Sequence, residues 1–114
     1  MLLQDPNLRV WLYTQPTDMR KQFDGLAALV NNKMAGTISE EHLFVFINRR
    51  RTHMKALYYS KGGLCLWCKR LERGHFYRVA ENDNRHHKTG LSWAQLQCVI
   101  DGIYWQKNRK NKRL

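Results

Sequence analysis

A short run of large apolar residues near the middle of the chain constrains the fold more than any other feature. Leu43-Phe44-Val45-Phe46-Ile47 follows His42 and precedes Asn48, and alternate positions of the run are all apolar. Because successive side chains of a strand point to opposite faces of a sheet, this pattern predicts a central strand over 42–48 that is covered on both faces. No apolar run approaches the roughly 18 residues that a membrane span needs, so we expect no contact with a membrane.

Other segments carry their own structural signals. Thr17 is a candidate helix cap, and apolar residues at helical spacing after it predict a helix over 18–34 that Gly36 terminates. Ser92-Trp93-Ala94-Gln95 matches the capping box and predicts a second helix over 93–102. The predicted strands are 10–13, 42–48, 53–60, 64–71 and 75–79, and residues 81–90 are expected to form a loop.

These elements predict an α+β fold, in which a small antiparallel sheet carries one packed helix and a second helix follows near the C-terminus. The chain has 114 residues, a length that suits one domain. We place this domain at 1–106 and expect a basic, disordered tail at 107–114. Three cysteines make no disulfide framework, and the N-terminus lacks the features of an export signal, so we expect a cytoplasmic, reduced protein.

The Gly62-Gly63 pair predicts a tight turn between the third and fourth of these strands. A two-residue turn at the glycines places Tyr58 opposite Trp67 and Lys55 opposite Arg70. Like charges directly opposite each other destabilise a strand pair. This register therefore implies an anion between Lys55 and Arg70, or an ion pair elsewhere for one of them; a longer turn would change it.

The positive charge of the chain is concentrated in its middle third. The formal net charge is +11, and residues 49–78 hold nine Lys or Arg residues against one acidic residue. Clustered arginine in a strongly basic chain is typical of proteins that bind a polyanion, above all nucleic acid. An acidic protein partner and a basic surface that only aids solubility are the alternatives. The candidate nucleic-acid-binding residues are Arg49, Arg50, Arg51, Lys55, Lys69, Arg70 and Arg73, with Lys61 and Arg78 at the margins.

Three aromatic residues, Tyr58, Tyr59 and Trp67, are interleaved with these cations in the sequence. Aromatic side chains between basic residues stack on exposed bases in some nucleic-acid-binding proteins. Packing in the hydrophobic core is the interpretation that we favour for all three.

Signals for catalysis and metal binding are weak. Cys65-x-x-Cys68 invites a zinc interpretation, but positions i and i+3 of a regular strand point to opposite faces. The carboxylates are scattered rather than paired as a two-metal nuclease requires, and the segment 83–87 resembles a histidine–metal nuclease loop only faintly. There is no glycine-rich phosphate loop. We therefore predict no catalytic residue, no metal, no cofactor and no small-molecule substrate.

Three motifs together resemble one known family. They are residues 17–26 (TDMRKQFDGL), residues 43–51 (LFVFINRRR) and residues 63–76 (GLCLWCKRLERGHF). In this order and spacing they resemble the small TnpB, or Orf2-like, accessory proteins of the insertion-sequence-66 family of bacterial transposable elements, over about residues 8–105. This family is distinct from the RNA-guided nucleases that share the TnpB name. His75 stands where the family more often has Arg, and Cys65 and Cys68 occupy variable positions.

The resemblance implies a role in DNA transposition beside a separate, larger transposase that carries the catalytic acidic residues. We expect a non-catalytic accessory protein that binds double-stranded DNA at the element ends through turn 49–51 and hairpin 53–71. Its further partners would be the transposase and other element-encoded proteins. The alternatives are an adaptor that docks on the transposase without touching DNA, and a small metal-dependent nuclease. Replacement of Arg49, Arg50 and Arg51 by Ala is predicted to weaken DNA binding and leave the fold intact.

Overall fold

The computed structural model describes residues 7–103, which form five strands and two helices. In chain order the elements are β1 (Arg9–Tyr13), α1 (Phe23–Asn32), β2 (His42–Ile47), β3 (His53–Ser60), β4 (Gly63–Arg70), β5 (Lys88–Leu91) and α2 (Trp93–Asp101). The strands make one sheet in the order β4-β3-β2-β1-β5, so the apolar run predicted as a central strand occupies the middle of the sheet. The α+β fold predicted from the sequence is confirmed.

The sheet is mixed rather than wholly antiparallel. β1 and β2 are parallel, with Arg9 beside His42 and Leu12 beside Val45, while the other three strand pairs are antiparallel. The reason is the connection between them, which contains α1. A long connection with a helix returns the chain to the end of the sheet where β1 began, and the next strand then runs in the same direction.

Both faces of β2 are covered, as predicted. Phe44 and Phe46 pack with Leu26 and Val30 of α1 on one face. Leu43, Val45 and Ile47 pack on the other face with Phe76 and with the apolar side of α2, which contributes Leu96, Val99 and Ile100. All five residues of the run are buried, which explains why it shows no polar alternation.

Helix α1 begins at Phe23, five positions after the start expected from the sequence. The Lys55 Nζ donates to the carbonyl oxygens of Met19 and Lys21, both at 2.8 Å. The Thr17 N–H donates to the Ile47 carbonyl at 3.0 Å, so Thr17 lies at the end of β2, and the helix cap is Gln22 instead. Helix α2 follows Ser92 with both hydrogen bonds of the capping box, and this prediction is confirmed.

Two predictions about short strands are wrong. Residues 75–79 form no strand, because the Phe76 N–H donates to Arg51 O, and the Arg51 side chain donates to the carbonyls of Phe76 and Tyr77. Residues 81–90 were expected to form a loop, but β5 (Lys88–Leu91) begins within this segment. It has only four residues, and Gly90 within it weakens the sequence signal.

The β3–β4 turn also differs from its prediction. The turn residues are Lys61 and Gly62, with φ values of 49° and 86°, and Ser60 pairs with Gly63. Lys55 therefore lies opposite Cys68, and the predicted Lys55–Arg70 pair does not form. A shift of two residues leaves every side chain on its predicted face, because the side-chain period of a strand is two.

The predicted basic tail, 107–114, lies outside the residues that the structure describes. Between residues 7 and 103, no helix is long and apolar enough to cross a membrane.

Candidate nucleic-acid interface

The strand directions bring three connecting segments, each of which carries an exposed arginine, to one end of the sheet. β1, β2 and β4 end there, and β3 and β5 begin there. Backbone hydrogen bonds join the connecting segments: Leu71 N to Thr52 O at 2.8 Å, and Thr14 N to His87 O at 2.8 Å. Segments far apart in sequence, 48–52, 71–78 and 81–88, therefore lie at the same end of the sheet.

The β2–β3 turn is held by the side chain of Asn48. Its Oδ1 accepts from the N–H groups of Thr52 and His53 at 2.8 and 2.9 Å, and the Arg51 N–H donates to Asn48 O at 3.0 Å. Arg51 takes a φ of 62° to close the turn. Arg49 and Arg50 are left exposed at its tip.

Five exposed arginines form what we call the arginine end. They are Arg49, Arg50, Arg73, Arg78 and Arg85. Within residues 7–103 their guanidinium groups make no hydrogen bond and no ion pair. Arg78 lies close enough to Arg51 for its charge to act on it, and it lowers the pKa of Arg51 after the larger effect of burial. The arginine end therefore presents several guanidinium groups that have no direct partner among the described residues.

Arg51 has a structural position that its sequence neighbours do not share. Its Nε donates to Phe76 O at 2.8 Å and its Nη2 donates to Tyr77 O at 2.6 Å. The Phe76 N–H donates back to Arg51 O at 2.7 Å. Because this clamp fixes segment 71–78 and the buried Phe76, the prediction that replacing all three turn arginines leaves the fold intact does not fit the structure.

The three remaining cations of the predicted site lie in the hairpin, and each has a partner. Lys55 is 8% exposed and its ammonium is bound to two carbonyls on the α1 side of the sheet. Lys69 lies on the α2 side and donates to Ile100 O at 2.7 Å. Arg70 is exposed but pairs with Glu72 at 3.1 Å. Of the seven predicted residues, Arg49, Arg50 and Arg73 are exposed at this end of the sheet and have no partner among the described residues. Arg70 is exposed at the same end but is paired with Glu72. Carbonyl oxygens hold the side chains of Arg51, Lys55 and Lys69.

A surface cleft of about 480 Å³ lies beside the end of the hairpin. It is lined by Met19, His53, Met54, Lys55, Cys68, Lys69, Arg70 and Glu72. Lys55, Lys69 and Arg70, which supply its positive charge, already hold carbonyl or carboxylate partners. The cleft is for this reason a weaker anion site than the arginine end.

Arg85 is a member of the arginine end that sequence reasoning missed. From the sequence, the segment 83–87 was interpreted only as a weak resemblance to a histidine–metal nuclease loop. In the structure Asp83 accepts the His86 N–H at 3.1 Å, and its Oδ2 lies 2.9 Å from His86 Nδ1, which lowers the pKa of Asp83. His87 lies 3.4 Å from Glu81. Both carboxylates have local partners, and Arg85 remains exposed between them.

The cysteine pair of β4 has the geometry expected from strand periodicity. Cys65 and Cys68 lie on opposite faces of the sheet, because their partners in β3 are Tyr58 and Lys55. In the described part of the chain, no three His, Cys, Asp or Glu side chains converge as a metal site would require. Trp67 and Tyr58 pack partly against the core on the α2 side, in agreement with the core interpretation of these aromatics.

Comparisons with known proteins agree with the motifs. The family model described as "IS66 Orf2 like protein" matches residues 8–110. An uncharacterized protein of Sinorhizobium fredii, y4hO, is 34% identical over 99% of this chain and 96% of its own length. A second uncharacterized protein from the same organism, y4jC, is 28% identical over 90% of this chain and 86% of its own length. No solved structure matches this chain.

Proposed function

Because the chain belongs to the IS66 Orf2-like family, whose members have an accessory role associated with transposition, we propose that it binds DNA through its arginine end and performs no chemistry itself. In this role it would hold the ends of the transposable element while a separate transposase acts on them. The DNA is double-stranded in this proposal, and the contacts are to backbone phosphates.

The observation that carries the proposal is the unpartnered state of the five arginines. Guanidinium groups bind phosphate through two parallel hydrogen bonds. A guanidinium group that has no partner within the protein gives up no internal hydrogen bond when it binds phosphate. The opposite end of the sheet has a different character, because Glu40 and Glu41 lie there beside Arg9 and Lys61. The field of the protein therefore favours an anion at one end.

Phosphate contacts of this kind give affinity and orientation but read no base sequence. The turn tip, Arg49 and Arg50, projects from the sheet end, while Arg73, Arg78 and Arg85 come from the flanking segments. A surface supplied by three segments fits the extended line of charges on a duplex better than a single phosphate. Preference for the element ends would then come from the transposase or from residues beyond this surface.

The proposal is tested by fluorescence anisotropy with a labelled duplex carrying the terminal repeat of the element, and with a scrambled duplex, across a salt series. Arg49→Gln/Arg50→Gln should weaken binding, and the slope of log affinity against log salt should fall by about two, since each lost phosphate contact removes about 0.9 from it. The matched control is Arg9→Gln/Lys61→Gln, which removes the same charge from the opposite end of the sheet.

Comparing the DNA affinities of the two variants distinguishes direct phosphate contacts at the arginine end from a general attraction by net charge. An equal loss of affinity in both would mean that net charge alone drives binding, and would contradict a site at the arginine end. No binding of the wild-type protein at low salt would overturn the DNA proposal and favour the adaptor that docks on the transposase. A preference for the terminal repeat over the scrambled duplex would add base or shape recognition to the phosphate contacts.

A further inference from the structure

Strand β4 forms one edge of the sheet, and no described segment lies along its outer side. It has eight residues, whereas β5 at the other edge has four. Proteins usually protect a long edge strand with proline, a bulge or charged side chains. Residues 63–68 contain no proline and no charge, and their pairing with β3 is continuous. An edge of this kind is a template for another strand.

The β3–β4 turn determines which backbone groups of β4 are free. Ser60 and Gly63 close a two-residue turn, so Gly63 and every second residue after it bond to β3. The Leu71 N–H, which donates to Thr52 O at 2.8 Å, continues this alternation beyond the strand. The residues whose N–H and C=O groups point away from β3 are therefore Leu64, Leu66, Cys68 and Arg70.

The side chains along this edge are apolar on both faces of the sheet. Leu64 and Leu66 are only partly buried on the α1 side, against the core that contains Phe44. Cys65 and Trp67 are partly buried on the α2 side. A strand added to β4 would remove apolar surface from water on both faces as well as satisfy the free backbone groups.

We propose that two copies of this chain pair antiparallel through β4, about a two-fold axis perpendicular to the sheet, and form one continuous sheet. The register that uses all four outward-facing residues places Leu66 opposite Cys68 and Leu64 opposite Arg70 of the second copy. Trp67 then faces its own counterpart across the axis. This is a non-hydrogen-bonded pair, in which side chains approach most closely, and aromatic pairs stabilise such positions.

Charge favours a second copy in this orientation. In the antiparallel register Lys69 lies opposite Cys65 and Arg70 lies opposite Leu64, so no cation of β4 faces another cation. The two arginine ends are carried to opposite ends of the joined strands, which separates the strongest positive fields. A parallel arrangement in register would place Lys69 and Arg70 beside their own counterparts, and like charges directly opposite are destabilising.

Amide hydrogen exchange on the wild-type protein tests this pairing with an internal control. The N–H groups of Leu64, Leu66 and Cys68 should exchange at least tenfold more slowly at high protein concentration than at low concentration. Those of Cys65 and Trp67, which bond to β3, should be protected at both. Fast exchange of these outward-facing amides at every concentration would overturn the proposal, as would slow exchange at every concentration in a protein that sediments as a 13.7 kDa monomer.

Sedimentation with one pair of variants tests the same contact. Cys68 is exposed and its N–H is not used inside the hairpin, so Cys68→Pro should leave the monomer folded, as proline is tolerated on an edge strand. It should weaken dimerisation at least tenfold, whereas Cys68→Ser, which keeps the N–H, should not. A wild-type mass that stays at 13.7 kDa, or a dimer that tolerates Cys68→Pro, would contradict pairing through β4. None of these readouts depends on DNA binding.

Discussion

The β2–β3 turn and the β3–β4 hairpin both carry several cations, but the side chains of these cations are placed in opposite ways. At the turn tip, Arg49 and Arg50 are exposed and have no partner among the described residues. In the hairpin, Lys55 and Lys69 donate to backbone carbonyls of other segments. A cation count therefore does not locate a binding surface.

The difference follows from where a strand directs its side chains. Successive residues of β3 and β4 point to the two faces of the sheet, each of which carries a helix, so a lysine in either strand lies within reach of backbone carbonyls in the layer on its face. Lys55 meets the segment before α1, and Lys69 meets the C-terminal turn of α2. A turn at the end of a sheet has no covering layer, and its cations stay in water.

Among the variants that test this difference between turn and hairpin, Lys55→Met is expected to change stability the most. The variant removes two hydrogen bonds from a buried ammonium and leaves the carbonyls of Met19 and Lys21 without their donor. We expect a loss of about 2–4 kcal/mol in the free energy of unfolding, measured by urea denaturation. DNA affinity of the folded variant should equal that of the wild type. A variant with normal stability and weaker DNA binding would place Lys55 in the interface and erase the contrast.

A smaller effect is expected from Arg51→Ala, compared with its neighbour Arg50→Ala. Arg51→Ala loses two hydrogen bonds to the carbonyls of Phe76 and Tyr77, and should cost about 1–3 kcal/mol of stability. Arg50→Ala should change stability by no more than about 0.5 kcal/mol, because its side chain is exposed and unpaired. Thermal unfolding measures both. Equal stability of the two variants would show that the clamp does not hold segment 71–78.

The smallest effect concerns an exposed pair in the segment that Lys55 holds. Hydrogen bonds from Arg20 lower the pKa of Asp18 to about 2 from its ordinary 3.8. A carboxyl whose pKa is lowered by folding contributes stability that is present above pH 3.8 and is lost as the pH falls toward 2. Asp18→Asn should make stability slightly less dependent on pH in this window. A large change would mean that this exposed pair matters more than solvent screening allows.

Much of the fold was predictable because its signals are local. The run 43–47 indicated a strand, and Ser92 with Gln95 indicated a helix start. The start of α1 was not predictable, because the carbonyls of Met19 and Lys21 before it bind Lys55, which is 36 positions away from Met19 in the chain. β5 was missed because four residues that include a glycine make a weak pattern.

The candidate site was predictable only in part. Sequence proximity grouped Arg49 with Arg50 and correctly indicated an exposed turn, since a polar segment between two apolar strands lies at the surface. It also grouped Lys55 and Lys69 with these arginines. Spacing along the chain does not show which segment packs over each face of the sheet, so it could not show that both lysines reach carbonyl oxygens there. Arg85 was not included, because it is far from Arg49 and Arg50 in the sequence and only the fold shows that it lies at the same end of the sheet.

The sequence by itself determined the family, the α+β composition, the doubly covered central strand and the excess of positive charge. Each is a matter of residue type and short-range order along the chain. Only the tertiary structure decided which cations remain free, which strand edge is open and where the arginines meet. These depend on the parallel placement of β1 beside β2 and on hydrogen bonds between distant segments, which local sequence patterns do not encode.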